Sequence, residues 1–132
     1  DFYKDQLKDV YSSRTFCLYE DIKQIKKEGL AKGGSLDNAI VVDSEKVLNP
    51  NGLRNKNEFV NHKILDLCGD MMLSGSRVLG DVSCKEGGHK MTLSLLKKIF
   101  EQSSNFVLID LENIELITKD LKKSKIDLSA TA

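Results

Sequence analysis

With 132 residues, 40% hydrophobic and 30% charged, the chain has enough apolar material for one domain with a core, which excludes a tail or a disordered segment. Its 20 basic residues balance 20 acidic ones, so there is no global field for nucleic acid or an anionic membrane, and any recognition of phosphate has to be local. Three cysteines, Cys17, Cys68 and Cys84, are odd in number and isolated in apolar segments, which points to buried thiols in a reducing, cytoplasmic compartment. Neither a signal peptide nor a transmembrane segment is read from the pattern, and the opening at Asp1 suggests a piece of a longer protein.

In chain order, residues 1–13 carry a weak amphipathic pattern that fits a lead-in helix or linker. Arg14 to Leu18 is short, β-branched and aromatic, and predicts a strand. Glu20 to Glu28 sets Ile22 and Ile25 against lysines and ends at Gly29, the pattern of a short helix with a left-handed C-terminal cap. After Gly33-Gly34 comes the apolar run Ala39 to Val42, a polar turn over Asp43 to Lys46, and a returning arm at Val47-Leu48, which together read as a hairpin. Pro50 marks the next loop.

Lys56 to Met72 predicts one long helix, mostly buried, whose apolar residues Val60, Ile64, Leu65, Leu67, Cys68, Met71 and Met72 cover most of its circumference. On the remaining arc stand His62, Asp66 and Asp70 at i, i+4 and i+8, with Lys63 beside them. Ionisable groups on the polar stripe of a buried helix cost several kcal/mol unless paired or bound. His at i and Asp at i+4 leave the same face one turn apart, so an imidazole nitrogen and a carboxylate oxygen can converge on one cation at roughly 2 Å. The same spacing also suits an ordinary helix-surface pair or a satisfied structural network.

Arg77 to Cys84 alternates as a strand does and leads to Gly87, Gly88 and His89, after which Met91, Leu95, Leu96, Ile99 and Phe100 have helical spacing. His89 thus stands at a strand-to-helix junction, where exposed N–H groups favour anions; for a lone histidine at a helix start an ordinary capping or surface role is the commoner one. Phe106 to Asp110 reads as a strand, and residues 103–132 as a peripheral end. The order predicts a single α+β domain over 1–132, a two-layer sandwich of helices on a small sheet with an insertion near the start.

The combination of RTF at Arg14 to Phe16, GGSLDNAIVVD at Gly33 to Asp43, VLNPNGLR at Val47 to Arg54, EFVNHKILDLCGD at Glu58 to Asp70 and GGH at Gly87 to His89 resembles one family closely. It is similar to the second, C-terminal domain of UDP-3-O-acyl-N-acetylglucosamine deacetylase, the zinc enzyme of lipid A biosynthesis in Gram-negative bacteria. The resemblance implies two similar layered domains with the site between them, and a β-α-β insertion, here about residues 19–50, walling a passage for the acyl chain. It implies zinc held by His62 and Asp66, with Asp70 orienting and charging His89, the histidine that protonates the leaving amine. Thr15 resembles the hydroxyl that steadies the oxyanion. Phe16 and Lys63 resemble residues lining the sugar-nucleotide site, and Ile22, Ala31, Ser35, Leu36, Ala39 and Val41 fall where the family lines its acyl passage.

Two positions depart from the family pattern. Glu86 occupies the place of a lysine, with Lys85 one position earlier, and Thr92-Leu93 stand where a pair of asparagines is common. The family's third zinc ligand, a histidine, and its general-base glutamate belong to the first domain. The resemblance therefore implies that this chain supplies part of a site, with the first domain as its partner and little turnover alone. The competing readings are a catalytically silent binding or scaffold domain that keeps the fold and the acyl groove, and an unrelated metal phosphohydrolase, which the missing adjacent His-Asp pair disfavours.

Overall fold

A computed structural model of the chain describes residues 7–110. These fall into two compact units, one ending at Gly88 and the other beginning at His89. The first unit is an α+β arrangement of helices and a three-stranded mixed sheet.

Strand β1 (Thr15–Leu18) pairs in parallel with β2 (Ala39–Asp43), Thr15 opposite Ala39 and Leu18 opposite Val42. Parallel strands cannot be joined by a tight turn, and the chain between them carries the short helix α2 (Ile22–Lys27), which makes the expected β-α-β insertion. Helix α2 ends as its sequence predicts: Gly29 has φ +74°, and the N–H groups of Gly29 and Leu30 donate to the carbonyls of Lys26 and Ile25. Strand β3 (Lys46–Val47) then returns antiparallel, closing the hairpin with Asp43 opposite Lys46.

The central strand is covered on both faces, since the adjacent residues Ile40 and Val41 leave on opposite sides and both are buried. Buried Asn49 fastens it. Its Oδ1 accepts from the Val41 N–H at 2.9 Å, and its Nδ2 donates to the Leu36 and Ala39 carbonyls at 2.7 and 2.8 Å. Helix α3 (Glu58–Met71) packs against β1 and the short lead-in helix α1 (Lys8–Tyr11). It runs into a 3-10 turn at Met72–Ser74, and Gly75, with φ +75°, ends it.

Three expectations are corrected here. Helix α3 is not mostly buried: only Glu58 and Met71 are enclosed, while Val60 and Met72 are 61% and 62% exposed, so the described residues leave one flank of the helix uncovered. Residues 77–84 form no strand. Val78, Leu79 and Val82 are exposed, Gly80 interrupts the alternation, and β-branched residues make a strand only where a partner strand takes their backbone hydrogen bonds. Cys84 is exposed, whereas Cys17 and Cys68 are half-buried; all three are free thiols.

The second unit is led by α4 (His89–Glu101), which buries Thr92 and Leu96. Residues 106–110, expected as a strand, form none. Instead, Phe106 packs on Phe100, ring centroids 5.0 Å apart, and the Asn105 side chain donates to the Lys98 carbonyl. Residues 1–6 of the lead-in pattern and 111–132 of the C-terminal end lie outside the described residues. No helix among the described residues is long and apolar enough to cross a membrane.

Candidate metal centre

His62 and Asp66 occupy successive turns of α3, and their side chains meet: His62 Nε2 lies 3.3 Å from Asp66 Oδ1, both side chains about 15% exposed. The other ring nitrogen, Nδ1, lies 3.3 Å from the Ser13 carbonyl, which can only accept, so Nδ1 carries the proton. In the neutral form of the ring, the lone pair of Nε2 faces a carboxylate oxygen that is also a lone-pair donor. Two such donors repel unless a proton or a cation stands between them. Two donors each about 2.0–2.1 Å from a tetrahedral ion stand about 3.3 Å apart, so the observed separation and the nitrogen-oxygen donor set both fit zinc. An imidazole fixed through its second nitrogen by a backbone carbonyl is the usual support of a metal-binding histidine.

The second oxygen of Asp66 is held as well. Lys63 Nζ donates to Oδ2 at 3.0 Å and sits 5.1 Å from the centroid of the Phe16 ring. Phe16, projecting from β1, meets Phe59 edge-on at 5.0 Å and His62 at 6.1 Å, which ties the strand to the helix at the level of the pair. The structure therefore brings Phe16, His62, Lys63 and Asp66 together. Thr15 is exposed at the start of β1. Asp70 lies half-buried one turn beyond Asp66. His89 is the exposed first residue of α4, in the second unit. The loop before it turns through Glu86 at φ +55°, and Gly87 lies so close to Cys84 Sγ that a Cβ there would displace the thiol.

The residues expected along an acyl passage are spread over the insertion. Ile22 on α2 and Ala39 on β2 are half-buried, Val41 is buried in the sheet, and Ala31, Ser35 and Leu36 are exposed on the loop between α2 and β2. Ala31 adopts φ +49°.

Sequence reasoning missed the buried pair beneath the site. Arg14 and Glu58 are 7% and 0% exposed, and Arg14 donates from Nε to Oε1 at 2.8 Å and from NH2 to Oε2 at 3.0 Å. The Arg14 and Arg54 backbone N–H groups add bonds of 3.1 and 2.6 Å to the same carboxylate. These bonds, the guanidinium's first among them, bring the Glu58 carboxyl down to about 2 and raise Arg14. A signal was available: Glu58 continues the His62, Asp66, Asp70 ladder one turn toward the helix start. Burial pushes the Cys68 thiol up, which keeps it protonated and unreactive on the same helix.

Among the described residues no group of three His, Cys, Asp or Glu side chains comes together to hold a metal ion. In class, the unit is an α+β fold in which one helix presents a close imidazole–carboxylate pair.

Comparison with known proteins narrows the class. The family model described as UDP-3-O-acyl N-acetylglycosamine deacetylase matches residues 3–101, and the chain belongs to that family. Curated relatives carry the name UDP-3-O-acyl-N-acetylglucosamine deacetylase. That of Campylobacter fetus is 42% identical over 123 residues, covering 90% of this chain and 38% of its own length. Those of Aliarcobacter butzleri and Myxococcus xanthus are 44% and 41% identical, covering 79% and 86% of this chain and 35% and 36% of their own lengths. The chain thus spans little more than a third of the relatives it matches.

Proposed function

We propose that this chain is the C-terminal half of a cytoplasmic, two-domain, zinc-dependent deacetylase that removes the N-acetyl group of UDP-3-O-acyl-N-acetylglucosamine in lipid A biosynthesis. The observation that carries the reading is the His62–Asp66 pair, whose 3.3 Å spacing and fixed imidazole suit a shared cation, in a chain of this family. His62 Nε2 and Asp66 Oδ1 would hold the zinc, whose chemistry when bound is Lewis acidity at the scissile amide. Catalytic zinc needs three protein ligands and an open position, so two donors make this chain one side of a site that the first domain completes, and turnover by the chain alone is slight.

The chain's own groups have the following roles in this reading. The Ser13 carbonyl keeps His62 in the tautomer that leaves Nε2 available, and Lys63 holds the outer oxygen of Asp66. The Thr15 hydroxyl donates to the oxyanion as the acetyl carbon becomes tetrahedral. His89 gives a proton to the departing amine, and Asp70 is the carboxylate that supports it in that role. Phe16 and Lys63 face the sugar nucleotide. Ile22, Ala31, Ser35, Leu36, Ala39 and Val41 line the route of the acyl chain. At the entrance to α4, Glu86 brings a negative charge where the family pattern has a positive one, which weakens any hold on the diphosphate from that position.

The test is the full-length protein, assayed for acetate release from the UDP-linked substrate before and after chelation and after zinc is restored. The expected result is activity that is lost and regained with zinc in the parent protein and absent in His62→Ala together with the metal. Full zinc content and activity in His62→Ala would overturn the assignment. Substrate binding without acetate release by the zinc-loaded parent would favour the silent binding domain.

A further inference from the structure

The peptide joining Ser13 to Arg14 is held at both ends by one helix. Its C=O takes the His62 Nδ1–H at 3.3 Å, and its N–H donates to Glu58 Oε1 at 3.1 Å. A peptide unit is planar and rigid, so fixing its N–H direction fixes the opposite direction of its carbonyl. Glu58 and His62 are four residues apart and share one face of α3, which is why a single peptide reaches both. The carboxylate that aims this peptide is itself immobilised by the Arg14 side chain and the Arg54 N–H. The third arm of the Arg14 guanidinium, NH1, reaches the carbonyl of Leu36 at 3.4 Å, and NH2, besides Glu58, donates to the carbonyl of Gly52 at 2.8 Å.

We propose that Glu58 is a positioning residue for His62, acting through the Ser13–Arg14 peptide, so that a buried carboxylate one turn away sets the ring orientation and tautomer of the metal-facing histidine. Arg14 serves the same end by holding Glu58. Neither residue touches substrate or the reacting atoms. The inference rests on the proposed zinc reading for its consequence, while the peptide clamp itself is a matter of ring geometry.

The experiment uses the full-length protein as parent and as Glu58→Gln, Arg14→Lys and His62→Ala, reading zinc affinity by competition with a chelator, kcat and KM separately, and the ring nitrogens of His62 by 15N NMR. In Glu58→Gln the side-chain amide cannot accept all four N–H groups, and the peptide loses its fixed aim. The expected outcome is zinc binding weakened about tenfold in folded protein, the size seen for groups supporting a ligand, with kcat lowered, KM unchanged and the Nδ1–H signal of His62 broadened. Arg14→Lys, which keeps the charge and a bond to the carboxylate, gives a smaller shift of the same kind and carries the test should Glu58→Gln not fold. A merely structural pair would lower the melting temperature while the folded variants keep parental zinc affinity and an unaltered ring signal, and that result overturns the proposal. If His62→Ala keeps full zinc affinity, the zinc reading fails instead, and the ring signal alone decides the clamp.

Discussion

Lys63 stands over the ring of Phe16 while donating to Asp66, so one ammonium joins a strand aromatic to the carboxylate of the candidate metal pair. The side chain is 42% exposed, which keeps its contribution to folding small, below about 1 kcal/mol. Its place beside the site matters more for what is bound. Prediction: in the full-length protein Lys63→Met, which retains the apolar stem, leaves the melting temperature near parental and raises KM for the UDP-sugar about tenfold, the loss of roughly one charge-assisted hydrogen bond. Steady-state kinetics with thermal melting checks this, and a large fall in melting temperature with unchanged KM would reverse the assignment.

Beneath that surface pair, Glu58 makes the fold acid-sensitive. Its pKa is depressed to about 2 by the Arg14 guanidinium and the two backbone N–H groups, so its contribution is fully present above the ordinary carboxylate value and drains away as the pH falls toward 2. Arg14 keeps its charge throughout. Prediction: the Arg14 and Arg54 amides, which donate to this carboxylate, lose exchange protection between about pH 4.5 and 2. Glu58→Gln removes that pH dependence and costs about 3–5 kcal/mol at neutral pH by leaving a buried guanidinium without its counter-charge. Amide exchange across a pH series, with denaturant unfolding at pH 7, measures both.

Two glycines of the insertion separate backbone need from mere small size. Gly29 adopts φ +74° in the cap of α2, whereas Gly33 has neither a positive φ nor any atom within reach of an added Cβ. Prediction: Gly29→Ala destabilises by about 1 kcal/mol, while Gly33→Ala is neutral or stabilises by about 0.4–1 kcal/mol by restricting the unfolded chain. Unfolding curves of the two variants give the comparison, and equal effects would mean that the α2 cap is not a determinant of the insertion's shape.

What the sequence made legible follows from periodicity. The i, i+4 spacing of His62 and Asp66 on the polar stripe of α3, the Gly29 cap, and the polar turn over Asp43 to Lys46 are all local signals, and each has its counterpart in the structure. Local signals failed where tertiary context decides. Residues 77–84 alternate like a strand but have no partner strand among the described residues, which also leave the apolar Val60 flank of α3 uncovered. The pairing of Glu58, whose place on the ladder was visible, with Arg14 was hidden for a related reason: the two are 44 positions apart, and charged residues read as surface until a partner is known. Nothing in the pattern singles out Asn49, whose amide holds three backbone groups around β2.

The last prediction sets the two aspartates of α3 against each other. Asp66 meets His62 Nε2 at 3.3 Å and is the carboxylate that shares a cation with it in the proposed site. Asp70, one turn further on, is assigned no metal bond and instead supports the proton donor. If zinc is held as proposed, Asp66→Ala removes an oxygen ligand and lowers zinc affinity at least about a hundredfold, more than loss of a supporting group does. Asp70→Asn keeps the metal and lowers the deacetylation rate by about two to four orders of magnitude, the usual worth of general acid-base catalysis. Zinc stoichiometry and acetate release, measured in parallel on the full-length variants, distinguish the two positions. Loss of metal in Asp70→Asn with retention in Asp66→Ala would show that the ligand lies on the other turn of the helix, and the 3.3 Å pair would then be an ordinary imidazole–carboxylate contact.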